Sequence, residues 1–139
     1  MEIAIEEKMK QDVPQAMQRH PAVLSAYVFG SVATGFAHRR SDVDIAVRLD
    51  RHMEPNAIFD LRLQLTDTLE NILGMPVDVI VLNTASLKMI HQVMKTGRML
   101  YTKGLKEETA FRIRKQKEYF DFKHRMRDDR LETKRFFGS

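Results

Sequence analysis

The sequence predicts an α/β domain that ends in a long helical tail. Three observations carry that expectation. Short runs rich in β-branched and aromatic residues lie near positions 23–29, 43–49 and 76–82. Between and around them, apolar residues recur at helical rather than alternating spacing. The 139 residues, 43% apolar and 30% charged, suffice for one core, and a second would starve the first. Residues 1–104 are therefore read as the body and 105–139 as a basic tail belonging to the same single domain.

Each element has its own justification. Ile3, Met9, Val13 and Met17 place an opening helix over Met1 to Arg19, with Pro14 expected to kink it or begin a second piece. Pro21 leads into the first strand, Val23 to Phe29, stopped by Gly30. A small-residue stretch and a polar loop follow, and the second strand runs from Val43 to Leu49. Asn56 is the candidate cap of a long helix ending at Leu73, with Gly74 suited to its C′ position. Pro76 to Leu82 is the clearest strand. Thr84 or Ser86 can cap a helix that Gly97 ends, Met99 to Tyr101 is a short extended piece, and the chain reads as helix from Leu105 onward.

At about 100° per residue, Phe111, Tyr119, Phe122 and Met126 form one stripe of the tail helix. Ile113, Phe120 and Leu131 form another on the opposite side. A helix lying on its own domain needs one such stripe. The second belongs either to a sandwiched helix or to a surface that a partner covers. The charge is just as uneven: residues 1–102 carry a balance of −1 and residues 103–139 a balance of +5. Such a tail attracts nucleic acid or an acidic protein surface. The arginines at 112, 114, 125, 127 and 130 lack an aromatic platform for RNA, which favours a protein partner.

Several function classes are excluded at the outset. With no cysteine there is no disulfide framework, thiolate zinc site or thiol nucleophile. The apolar runs are too short to span a bilayer. The first ten residues lack the apolar core of an export signal, so a cytoplasmic location is expected. His38, His91 and His124 show no metal-ligand spacing, and Met89 and Met94 read as core packing.

The chemistry sits in Gly30-Ser31, ten intervening residues, then Asp42-Val43-Asp44, with Asp78 on the next strand. Side chains two apart on a strand share a face, so Asp42 and Asp44 project together. Two such carboxylates raise each other's pKa unless a cation lies between them. Hard oxygen donors suit Mg²⁺, which also takes ligands from phosphates and water. Were Asp78 on the neighbouring strand, it would complete a three-carboxylate cluster of the kind that two-metal phosphoryl transfer requires. Glycine permits close backbone approach, and N–H groups after it can cradle phosphate oxygens beside the Ser31 hydroxyl. Taken singly, Gly-Ser is commonplace and an Asp-x-Asp pair is usually a solvated strand end. The full spaced pattern arises by chance at only ~10⁻³ in a chain of this length, which favours function. Asp78, amid Val77, Val79, Ile80 and Val81, also asks for a partner.

Gly30-Ser31, the gap, Asp42-Val43-Asp44, Gly35, Ser41 and the Asp78 strand resemble the signature of the DNA polymerase β nucleotidyltransferase superfamily. In length the chain is similar to the minimal nucleotidyltransferases (MNT), and most closely to the MNT antitoxins paired with HEPN-family ribonuclease toxins. The resemblance implies a mixed sheet flanked by helices, with ATP as substrate and two Mg²⁺ ions. It implies that Asp42 and Asp44 bridge both metals and that Asp78 binds the catalytic metal and helps deprotonate the incoming hydroxyl. Gly30 and Ser31 would hold the β- and γ-phosphates. Many minimal members carry Arg directly after Gly-Ser; Val32 stands there in this chain, and Arg39 and Arg40 are the candidate replacements as triphosphate counter-charges. The implied activity is transfer of AMP from ATP to a tyrosine of a cognate HEPN toxin, which silences it. Two other readings stay open: an antitoxin that neutralises by binding alone, and a nucleotidyltransferase acting on a small molecule.

Overall fold

The structure, a computed structural model, describes residues 2–30 and 42–136, with side chains for 4–30 and 42–130. Helix α1 (Glu2–Gln18) leads to strand β1 (Val23–Phe29), and the next described strand is β2 (Val43–Leu49). Helix α2 (Pro55–Leu73) connects β2 to β3 (Val77–Val81), and a single 3-10 turn, Leu82–Thr84, precedes helix α3 (Leu87–Thr96). Strand β4 (Arg98–Thr102) and helix α4 (Leu105–Phe136) complete the chain.

The four strands lie in the order β3-β2-β1-β4. β1 is antiparallel to both β2 and β4, whereas β2 and β3 run parallel. A parallel pair needs a long crossover, and the 19 residues of α2 supply it. Met9, Val13 and Met17 of α1 and Leu61, Leu65, Leu69 and Leu73 of α2 are buried against one face of the sheet, with Val28, Ile45 and Val47. The other face packs Tyr27, Phe29 and Ala46 against Ile90 and Val93 of α3 and Phe111 of α4. The result is a three-layer mixed fold. Trimming a packed side chain such as Leu65 to Ala typically costs 2–5 kcal/mol.

Local chemistry explains the element boundaries, including those that depart from the sequence reading. The expected cap of α2 is corrected: Glu54 occupies the N-cap without a side-chain hydrogen bond, Pro55 opens the helix, and Asn56 lies inside it. Pro at the first helical position forfeits an N–H that had no partner anyway, and its fixed φ starts the helix unaided. Gly74 closes α2 at φ +70°, with its N–H donating to the Glu70 carbonyl at 2.8 Å. Of the two candidate caps for α3, Ser86 serves: its Oγ accepts from the Met89 N–H at 3.1 Å. α1 runs unbroken through Pro14. The expected third strand stops at Val81, because Leu82 turns into the 3-10 segment, whose Asn83 side chain both accepts from the Leu49 N–H and donates to the Leu49 carbonyl.

The tail begins inside the core and ends outside it. Glu108 and Phe111 are buried, while every described side chain from 120 to 130 is exposed. Glu108 accepts from Ser25 Oγ at 3.0 Å and from Arg48 Nε at 3.0 and 3.2 Å. Phe111 of the first stripe is covered by the sheet and Tyr119 stacks on His91, but Phe122 and Met126 are exposed. Ile113 and Phe120 of the second stripe are each 62% exposed, so the domain does not sandwich that side. Leu131 lies outside the described side chains. Met89 is also exposed rather than packed, unlike Met94. Arg98 pairs with Glu6 at 2.8 Å, tying β4 to α1.

Candidate functional site

Strand polarity gathers the predicted residues at one end of the sheet. β1 finishes where β2 and β3 begin, so Phe29 lies opposite Asp44, and Asp44 lies opposite Asp78 in the parallel register. Asp44 and Asp78 thus share a face with Ala46 and Ile80, the face that α3 and α4 cover further along the sheet. Asp42 sits two residues before Asp44, exposed at the strand entrance.

Gly30 closes the other flank of Asp44. Its φ is +76°, in the left-handed region that glycine tolerates best, and a Cβ there would stand 2.6 Å from Asp44 Oδ2. The missing side chain is what leaves room for the carboxylate. Asp44 is half-buried, and that burial, followed by the charges of Asp78 and Asp42, lifts its carboxyl above the usual carboxylate range. Asp78 is about half exposed, with Arg62 Nη2 at 3.9 Å from Oδ1. Arg62 is itself anchored, its Nε donating to the Val79 carbonyl at 2.8 Å.

The donor set fits a hard divalent cation. Three carboxylates on neighbouring positions repel one another, and an ion among them relieves the repulsion. Among the described residues, no three His, Asp or Glu side chains are already drawn close enough to hold an ion. Ser31, Val32, Gly35, His38, Arg39, Arg40 and Ser41 lie outside the described residues.

Residues 11–105 match the family described as "Polymerase beta, Nucleotidyltransferase". The chain belongs to that family. The match spans β1 through β4, so it takes in Gly30 and all three aspartates. Among its nucleotidyltransferase relatives, the chain is 33% identical over 81 residues to the protein adenylyltransferase MntA of Shewanella oneidensis. That alignment covers 58% of this chain and 55% of MntA, so the chain matches little more than half the length of this curated relative. Among solved structures, a toxin–antitoxin crystal structure with AMP-PNP superposes with a TM-score of 0.70 and 25% identity, covering 92% of this chain and 97% of that one. A complex of tri-AMPylated S. oneidensis HEPN toxin with MNT antitoxin gives a TM-score of 0.67 over 93% and 98%; at 20% identity that likeness concerns the fold.

Two residues near this framework carry no sequence signal. Arg62 is one of several polar positions on α2, and only the packing of α2 on β3 brings it to Asp78. Glu108 stands in the charged opening turn of α4, yet it is buried and locks α4 to β1 and β2.

Proposed function

We propose that this nucleotidyltransferase moves AMP from ATP to a tyrosine hydroxyl of a cognate HEPN-family ribonuclease toxin and acts as its antitoxin. The observation that carries the reading is the pairing of Asp44 with Asp78 in register, against a glycine whose missing side chain accommodates Asp44. Kinship with MntA supports the choice of AMP as the transferred group. Likeness to a toxin–antitoxin structure with AMP-PNP supports the partner and the nucleotide.

Asp42, Asp44 and Asp78 would hold the Mg²⁺ ions. When bound, the ions supply Lewis-acid polarisation of the phosphate and offset its developing charge. Gly30 and Ser31 cradle the β- and γ-phosphates, with Arg39 and Arg40 as counter-charges in place of the arginine that Val32 displaces. The acceptor oxygen bonds to the α-phosphorus, the bond from that phosphorus to its bridging oxygen breaks, and pyrophosphate leaves with the electron pair. Asp78, on the edge strand of the sheet, would help remove the hydroxyl proton. The tail from about residue 113 onward docks the partner, since Ile113, Phe120, Phe122 and Met126 remain exposed.

The test is to incubate the protein with ATP, Mg²⁺ and the product of the adjacent gene, then to weigh the products intact. Mass gains in AMP steps on the partner, absent with Asp44→Ala, are the expected result. A stable complex without mass gain would replace transfer by neutralisation through binding alone.

A further inference from the structure

A groove of about 240 Å³ lies between α3 and α4, lined by Ile90, His91, Met94, Lys95, Arg112 and Lys115, with Gln116 at its edge. None of the residues of the carboxylate cluster lines it. Its chemistry is consistent from wall to floor. Three cations face it, and Glu118, which pairs with Lys115 at 3.1 Å, is the carboxylate held against them. Among the described residues, Lys95 and Arg112 have no carboxylate within ion-pairing distance. Arg112 is half-buried with its guanidinium 5.6 Å from the Tyr27 ring centre, which restricts it without neutralising it. The floor is apolar, from Ile90 and Met94. His91 is backed by Tyr119, the rings stacked at 3.9 Å and 8°.

We propose that this groove binds a small phosphate-bearing anion of about the size of a nucleoside monophosphate. An uncompensated pair of cations on preorganised helices favours a phosphate, and an apolar floor beside a flat ring favours a planar body attached to it. The walls belong to the element that follows the Asp78 strand and to the element that projects from the domain. Occupancy therefore clamps the root of the projecting helix to the body. The same phosphate chemistry is available from AMP or from pyrophosphate, the product of nucleotidyl transfer.

The full-length Asp42→Asn/Asp44→Asn protein, which disables the carboxylate cluster, is titrated with AMP and with pyrophosphate by calorimetry and by amide NMR shifts. Saturable binding is expected, with shifts on α3 and α4, weakened at least about tenfold by Lys95→Glu and by Lys115→Gln. Both substitutions change exposed or half-exposed side chains, and circular dichroism verifies that the variants fold. Tighter AMP binding supports the site as argued, and equal or tighter pyrophosphate binding overturns the planar-body part of the proposal. Absence of saturation for both up to about 10 mM overturns the proposal, as does binding that neither substitution weakens. Because binding is read in a protein without the carboxylate pair, the outcome is independent of whether AMP transfer occurs.

Discussion

Asp44 carries its carboxylate at some cost to the fold. Burial and two neighbouring carboxylates raise its pKa, so the ionised form is less comfortable in the folded chain than in the unfolded one. An acid shifted upward binds more protons when folded; its destabilising effect therefore grows as pH rises from its ordinary value through the raised one. Asp44→Asn should remove that dependence. Without divalent cations, the variant should melt at or above the wild-type temperature at pH 7, and the advantage should vanish under acid conditions. AMP transfer should fall by about 10³-fold or more, as losses of charge-stabilising groups at transfer centres do. A lower melting temperature at pH 7 would make Asp44 a structural residue. Gly30→Ala tests the same contact from the other side. The left-handed backbone should cost about 1–2 kcal/mol in a denaturant titration. The added carbon, 2.6 Å from Asp44 Oδ2, should turn the carboxylate aside and slow transfer about 10²-fold.

Among the elements, α4 is the one whose role the packing redefines. Its polar appearance conceals Glu108, fully buried and bonded to Ser25 and Arg48, with the Tyr27 hydroxyl nearby and without a hydrogen-bond partner among the described residues. Burial, with the Glu108 charge beside it, pushes that hydroxyl up to about 12, so it stays neutral. Glu108→Ala should cost about 3–5 kcal/mol in urea unfolding, because it strands the mostly buried Arg48 without its counter-charge. Adding Arg48→Met should recover much of that loss; failure to recover would locate the cost in Ser25 and the α4 backbone instead. The strands were readable to the residue at Val23–Phe29 and Val43–Leu49, since β-branched alternation bounded by glycine and polar residues has few other outcomes. The placing of Asp44 opposite Asp78 was legible only as a condition, since it needed β3 to lie beside β2, a pairing that local spacing does not fix. Glu108, Arg62 and the Asn83 bridge to Leu49 were not legible, because each depends on contacts between elements far apart in the chain. Asn56 illustrates a local conflict: a good capping residue lost to the neighbouring proline, whose fixed backbone begins the helix first.

At the scale of the whole molecule, the two proposed tasks fall in separate regions. The carboxylate cluster sits at one end of the sheet, while α4 carries exposed side chains and a basic excess beyond the body. Docking through such a helix should set how often the partner is captured, and the cluster should set what happens after capture. Removing residues 121–139 separates the two, since every described side chain it deletes is exposed and Glu108, Phe111 and Tyr119 all remain. Stability should change by no more than about 0.5 kcal/mol, as for surface changes generally. Partner affinity should fall at least about tenfold, or 1.4 kcal/mol, while ATP affinity stays as it was. Transfer kinetics should then show a raised KM for the partner with kcat retained, the mark of lost binding that is uniform between ground and transition states. Asp44→Asn should show the converse, keeping the complex while leaving the partner unmodified. A truncated protein with normal partner affinity would move the docking surface onto the body, where the exposed Phe59 and Leu63 of α2 form the next apolar patch.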